Sequence, residues 1–174
     1  MKVAETEIQY QCRIRAAVGD DASALSSLAM RSKAHWGYDE NFMNRCRGEL
    51  TYSAEQILAP GYDFQVCDRG HESIAFYALE RVEEELIELE ALFVEPRYIG
   101  TGIGRLMIES AKNRAASSGA RRMIIQGDPH ADSFYLAVGA LMCGSRESGS
   151  IPNRHLPLYE LVLDRLTADT DTGK

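Results

Sequence analysis

The sequence predicts one α+β domain in which helices flank a mixed, mostly antiparallel central sheet. Three observations carry this reading. Short alternating runs separated by turns fill residues 64–94, as in a meander of antiparallel strands. The apolar period then changes from two to 3.6 shortly after Pro96. From there the pattern reads helix, strand, helix, strand, strand, and strands first with mixed units later is an α+β order. A chain of 174 residues without an internal repeat or interdomain linker fits a single domain.

The elements follow in order. Residues 10–16 alternate, with Cys12, Ile14 and Ala16 on one face and Arg13 and Arg15 on the other, as in a half-buried strand. Asp20 and Asp21 offer an N-cap to a helix whose stripe is Ala22, Leu25, Leu28 and Ala29. A second helix begins at Asp39 and carries Phe42, Met43, Cys46 and Leu50, with residues 31–38 between the two. Ser53 and Gln56 form a capping-box pattern before a turn ending at Pro60 and Gly61. Strands at 64–67 and 74–79 join through Asp68, Arg69 and Gly70. After an acidic turn at 83–85 comes the longest strand, residues 86–94, which Pro96 ends because proline cannot donate to a ladder.

Ile103, Leu106, Met107, Ala111 and Ala115 then define a helix face that stops at Gly119. A strand at 123–126 precedes a helix capped by Asp128 or Asp132, which carries Phe134, Tyr135 and Val138 up to Gly139. Strands at 141–144 and 156–163 complete the domain, bounded at residues 1–166. Residues 167–174 form a polar C-terminal tail.

Composition narrows the function classes. A formal net charge of −7 supplies no basic field to displace counterions, which argues against nucleic acid and favours a cationic partner such as an amine. No apolar run approaches the roughly 20 residues that span a bilayer, so no membrane association is expected. Residues 1–10 contain no apolar segment of the kind a secretory signal needs, which points to a cytoplasmic location. Cys12, Cys46, Cys67 and Cys143 are scattered without a CxxC pair, so they read as reduced, mostly packed thiols and no metal is expected.

The informative segment runs Leu92-Phe93-Val94-Glu95-Pro96-Arg97-Tyr98-Ile99-Gly100-Thr101-Gly102-Ile103-Gly104-Arg105. A strand ends, a turn follows, and three alternate glycines lead into an amphipathic helix. Glycines let a ligand approach the backbone, and the first helical turn presents unpaired N–H groups to an anion. A Walker A loop would need Gly-Lys-Ser/Thr, whereas Gly104 precedes Arg105 and Leu106. A dinucleotide fingerprint needs G-x-G-x-x-G after the first strand of a parallel unit; here the third glycine comes one residue early, after a meander. A glycine-rich turn with no ligand is the plain alternative.

Arg97-x-x-Gly100-x-Gly102 resembles the R/Q-x-x-G-x-G/A motif of the GNAT superfamily of N-acetyltransferases. Leu92-x-Val94-x-Pro96 is similar to the end of that family's fourth strand, and Phe134-Tyr135-x-x-x-Gly139 to its late helix. The resemblance implies a GNAT-like fold, with acetyl-CoA as co-substrate in a cleft where two strands splay apart. It implies pantetheine along the backbone of Leu92 and Val94, and pyrophosphate on the amides of Ile99, Gly100, Thr101, Gly102, Ile103 and Gly104 with Arg97 nearby. His130 stands where the family often has a cofactor-contacting asparagine; histidine can still donate a hydrogen bond. A homodimer through the C-terminal strands is a further implication.

Direct attack of an amine on a thioester needs a base for the amine proton and an acid for the departing thiolate. The family resemblance implies Tyr135 as the acid; the alternative is a packed amphipathic aromatic. Glu88 and Glu90 are the candidate bases, about 7 Å apart on one face of the strand by alternation and near enough to influence each other's protonation. Alternation puts Glu88, Glu90, Leu92 and Val94 on one face and Ile87, Leu89, Ala91 and Phe93 on the other, unless a bulge intervenes. Both glutamates lining a solvated face is the alternative.

His35, Trp36 and Tyr38 occupy the stretch where the family walls its acceptor site, and Arg154 could hold an acceptor carboxylate or form a surface ion pair. The function expected is acetyl transfer to a primary amine of a small molecule. Acetylation of protein lysines or N-termini, and a non-catalytic acyl-CoA-binding module, are the competing readings.

Overall fold

A computed structural model describes residues 12–163. The expected strand at 10–16 is therefore seen from Cys12 onward, while the readings of residues 1–10 and of the 167–174 tail lie outside the described residues. Among the described residues seven strands form one sheet in the order β1-β2-β3-β4-β5-β7-β6. These are β1 (Cys12–Ala16), β2 (Tyr62–Arg69), β3 (Glu72–Glu83), β4 (Leu86–Val94), β5 (Arg122–Gln126), β6 (Leu141–Glu147) and β7 (His155–Val162). Only the β4–β5 pair is parallel, because α4 (Ile103–Ser117) crosses between them; the other pairs are antiparallel.

Two apolar clusters sandwich the sheet. On one face α4 buries Ile103, Met107, Ile108, Ala111 and Ala115 against Tyr77, Leu79, Ile87, Leu89 and Met123. On the other, α1 (Ala22–Ala34), α2 (Glu40–Cys46) and α3 (Ala54–Ile57) cover Phe64, Val66, Phe76, Ala78 and Ala91. The period-two and period-3.6 stripes of the sequence are these two faces. α5 (Asp132–Ala137) closes the end of the α4 layer.

Several local expectations change. β2 and β3 run longer than the sequence indicates and meet in a two-residue turn, Gly70-His71, where Gly70 takes φ +63°. α1 continues to Ala34, so half of residues 31–38 is helical. Asp21 does not cap α1: its carboxylate accepts from the Val18 N–H at 2.8 Å and from Arg15 at 2.7 Å. Asp39 and Ser53 do cap their helices, accepting from the N–H groups of Phe42 and Gln56. Asp128 caps a 3-10 turn, Pro129–Ala131, and Asp132 is the first residue of α5. Cys46 and Cys67 are buried as expected, but Cys143 is exposed on β6.

The most consequential correction is in β4. Ala91 pairs with Ala78 and Leu89 with Leu79, which leaves Glu90 as an extra residue on β4. The bulge reverses the facing of everything beyond it. Ile87 and Leu89 pack on the α4 side together with Leu92 and Val94, whereas Ala91 and Phe93 pack on the α1 side. Simple alternation, which grouped Glu88 and Glu90 with Leu92 and Val94, is therefore wrong for this strand.

Candidate active site

β4 and β5 stay in register only from Leu86–Arg122 to Leu89–Ile125. Beyond Leu89 the two strands part, and the side of β4 from Glu90 to Val94 that faces β5 is left without a ladder partner. An unpaired strand edge exposes alternating N–H and C=O groups to whatever enters the gap. The gap opens into a cleft of about 730 Å³ that passes between the strands and is lined by Glu88, Glu90, Leu92, Val94, Trp36 and Tyr135, among others.

At one mouth of the cleft lies the glycine loop. Gly100 and Gly102 take φ +81° and +90°, conformations that disfavour a side chain, and Gly102 is the N-cap of α4. The first backbone bond into α4 runs from the Leu106 N–H to the Gly102 carbonyl at 3.0 Å, so the Ile103, Gly104 and Arg105 amides have no backbone acceptor among the described residues. Apart from Gly100 and its two chain neighbours, no protein atom lies within 4 Å of the place a Cβ on Gly100 would occupy. A Cβ on Gly104 would stand 3.3 Å from the Phe134 ring, so glycine there keeps α5 close to α4. This is an open, positively polarised cradle suited to a phosphate group.

Ile99, Gly100, Gly102 and Gly104 line the cleft with Arg105, which sequence reasoning did not select. Arg97, Thr101 and Ile103 have other surroundings. Arg97 is exposed and paired with Glu72, its guanidinium over the Tyr98 ring. Thr101 donates its hydroxyl to the Tyr98 carbonyl at 2.7 Å, and the Ile103 side chain is wholly buried. His130 lines the cleft and lies parallel to Trp36 at 5.4 Å between ring centroids.

The two glutamates differ. Glu88 is held 2.5 Å from the Arg146 guanidinium. Glu90, on the bulge, has no ion-pair or hydrogen-bond partner among the described residues. Solvent reaches Glu90 through the cleft, yet the surrounding walls remove enough water that burial, with the charges of Glu88 and Glu80, pushes its pKa up to about 7. Arg146 opposes this shift and Glu49 adds to it.

Tyr135 is 7% exposed, with its ring against Phe134 and Tyr159. Its hydroxyl has no hydrogen-bond partner among the described residues, and no fully buried side-chain oxygen there is unpaired, so the hydroxyl reaches the cleft. Burial holds its pKa well above the usual tyrosine value, with the charges of Tyr159 and Asp128 adding to the shift.

Tyr38 and Arg154 do not line the cleft. Tyr38 donates to the Asp128 carboxylate at 2.9 Å and accepts from Arg154 at 2.8 Å. The Lys33 ammonium, on the buried face of α1, completes the group at 2.7 Å from Asp128. Burial works to raise the Asp128 pKa, but Lys33, the His130 N–H and the Tyr38 hydroxyl hold it below the usual carboxylate range. This network ties α1 and the β6–β7 loop to the turn that carries His130. His35 is exposed and packs its edge on Trp36, outside the cleft lining.

Comparison with known proteins agrees with this architecture. The family described as Acetyltransferase (GNAT) domain matches residues 29–148. The chain belongs to the GNAT acetyltransferase family. Among solved structures, the PaiA N-acetyltransferase of Thermoplasma acidophilum, in complex with coenzyme A, superposes with a TM-score of 0.71 at 20% identity, covering 87% of this chain and 98% of that one. The YncA protein of Salmonella typhimurium, solved with acetyl-CoA, gives 0.62 at 19% identity over 88% and 94% of the two chains. The ribosomal-protein-S18-alanine N-acetyltransferase of Escherichia coli gives 0.66 at 14% identity over 91% and 97%. No curated protein sequence matches. The GNAT chain is thus an acetyltransferase with the fold expected from its sequence. Among its described residues no helix is long and apolar enough to cross a membrane, and no group of ligating side chains could hold a metal.

Proposed function

We propose that this GNAT protein transfers an acetyl group from acetyl-CoA to a primary amine of a small-molecule acceptor by direct attack. One observation carries the reading: Glu90 and the Tyr135 hydroxyl open on the same cleft, beside an unpaired stretch of β4 and the glycine cradle. Coenzyme A bound in one of the structural relatives and acetyl-CoA in another support the choice of donor. The thioester supplies the activated acetyl group. The amides at the start of α4, with Arg105, would hold the phosphates, and the free edge at Leu92 and Val94 would hold the pantetheine amides. His130 and Trp36 would flank the entering amine.

Glu90 takes the role of base. With a pKa of about 7 it is ionised often enough to accept a proton from an ammonium and basic enough to retain it. Glu88 is a weaker candidate, because its carboxylate is engaged in an ion pair with Arg146. Tyr135, held protonated by burial, would donate its proton to the leaving sulfur. Four free cysteines fit a reducing, cytoplasmic setting. β6, an edge strand with Leu141 and Met142 exposed, is the surface we assign to a homodimer, which light scattering would test.

The deciding experiment follows thiol release from acetyl-CoA with a panel of small amines. Turnover with small amines supports the reading. Turnover only with peptide lysines or N-termini would replace it with protein acetylation, and acetyl-CoA binding without release would make the chain a binding module.

A further inference from the structure

The cleft continues past Glu90 to an acidic end that acetyl transfer alone leaves without a task. Glu49, Leu50 and Tyr52, from the turn that follows α2, form one wall, and Gly149 from the β6–β7 loop forms the other. A Cβ on Gly149 would lie 3.8 Å from the Glu49 Oε2, so the two walls nearly touch.

The charges at this end are not balanced. Arg146 neutralises Glu88, and Asp128 neutralises Lys33. Arg154, the residue expected to hold an acceptor carboxylate, is bound to Tyr38 and lies 3.9 Å from Asp128, away from the cleft lining. Glu49 and Glu90 have no ion-pair partner among the described residues, and the charge of Glu49 is felt at Glu90.

Tyr52 is an independent sign of a ligand. It is 7% exposed, with its ring edge-on to Phe64 and Phe76. Its hydroxyl has no hydrogen-bond partner among the described residues, where no fully buried side-chain oxygen is left unpaired, so it opens on the cleft. Glu90 and Glu49 both act on it. A nearly buried hydroxyl that opens on the same cleft as two unpaired carboxylates suits a hydrogen-bonding cation.

We propose that Glu49 and the Tyr52 hydroxyl form a subsite for a second ammonium group of the acceptor, so that the substrate is a diamine lacking a carboxylate near the reacting amine. The inference rests on the acetyl-transfer reading above. An ammonium donates three hydrogen bonds and would satisfy both Glu49 and Tyr52, while the reacting amine at the other end meets Glu90. A carboxylate at the far end would instead face Glu49 and Glu90, and the Arg146 charge felt at Glu90 is already paired with Glu88.

The test compares n-butylamine, 1,4-diaminobutane and 4-aminobutanoate, acceptors that differ only in their far end, using the full chain. The diamine should exceed butylamine in kcat/KM by at least about tenfold, the scale of a hydrogen bond to a charged group, with aminobutanoate last. Glu49→Gln and Tyr52→Phe should each lower the diamine-to-butylamine ratio; Glu49 is exposed, so its variant disturbs no packing. A ratio near one, a ratio unmoved by either variant, or preference for aminobutanoate overturns the subsite while leaving acetyl transfer standing. If no amine is acetylated, calorimetry with 1,4-diaminobutane separates the two claims. Binding weakened by Glu49→Gln retains the subsite without the transfer reading, and absence of binding overturns the subsite.

Discussion

The Glu88 carboxylate lies 2.5 Å from the Arg146 guanidinium, and this pairing leaves Glu90 as the unpaired carboxylate of the two. The two glutamates are two residues apart on β4, yet one is charge-balanced and the other is held with a pKa of about 7. A base works when ionised, so kcat/KM should rise with pH through about 7 and level off above it. Glu90→Gln should abolish that limb and lower the rate by roughly 10²–10⁴-fold. Glu88→Gln should retain the limb. A pH–rate series on the three proteins checks both statements.

The same shift makes a stability prediction of opposite sense. The folded pKa of Glu90 is raised above the ordinary carboxylate value, so the folded state binds this proton more tightly than the unfolded state does. Stability contributed by the protonated group is complete below about pH 4 and is lost as pH rises through about 7. Glu90→Gln lacks this loss. Its melting temperature should therefore gain on the unmodified protein as pH rises through this interval and stay ahead above pH 7, as thermal unfolding at several pH values would record.

Tyr135→Phe should fold normally, because the hydroxyl it removes has no hydrogen-bond partner among the described residues. If Tyr135 is the acid, kcat should fall by about 10²-fold or more while acetyl-CoA binding is retained. Because burial keeps the hydroxyl protonated, the unmodified protein should show no alkaline fall from this residue below about pH 10. Unchanged turnover in the variant would remove Tyr135 from the chemistry.

Much of this site was legible because its signals are local. The glycine spacing at 100, 102 and 104 reports backbone conformation directly, and two of the three do take positive φ. The order of strands and helices followed from period alone. The bulge at Glu90 was not legible, since alternation along one strand cannot show an extra residue relative to its neighbour. Tyr38 and Arg154 meet across 116 positions, a pairing no short pattern announces. Lys33 did leave a trace: it lies four residues after buried Ala29, on the stripe of α1, where an unpaired lysine would not be tolerated. Glu49 and Tyr52 gave none, because they come from a turn and acquire meaning only opposite Gly149.

Asp128→Ala should be among the most damaging single changes to stability. It leaves the Lys33 ammonium buried without a counter-charge and removes the acceptor of the Tyr38 hydroxyl. Losing one partner of a buried ion pair costs about 3–5 kcal/mol. The Asp128 pKa is depressed in the fold, so its contribution is present above the unfolded value near pH 4 and is lost as pH falls through the lower folded one. Urea unfolding at neutral pH should show the full loss. The same variant should also raise the KM for the acceptor, since Asp128 caps the turn that carries His130.

Gly100→Ala separates the cost of a conformation from the cost to a ligand. Gly100 has φ +81°, so an alanine there is strained by about 1–2 kcal/mol. Beyond its chain neighbours a Cβ would meet no protein atom within 4 Å, and no further packing penalty follows. The methyl group would instead project into the open space beside the amides that begin α4. If those amides hold the coenzyme phosphates, the KM for acetyl-CoA should rise by about tenfold or more, the equivalent of one charge-assisted hydrogen bond, with a smaller change in kcat. Fluorescence or calorimetric titration with coenzyme A would read the binding loss apart from turnover. A variant that shows only the modest stability loss, with coenzyme A affinity intact, would move the phosphate site away from this loop.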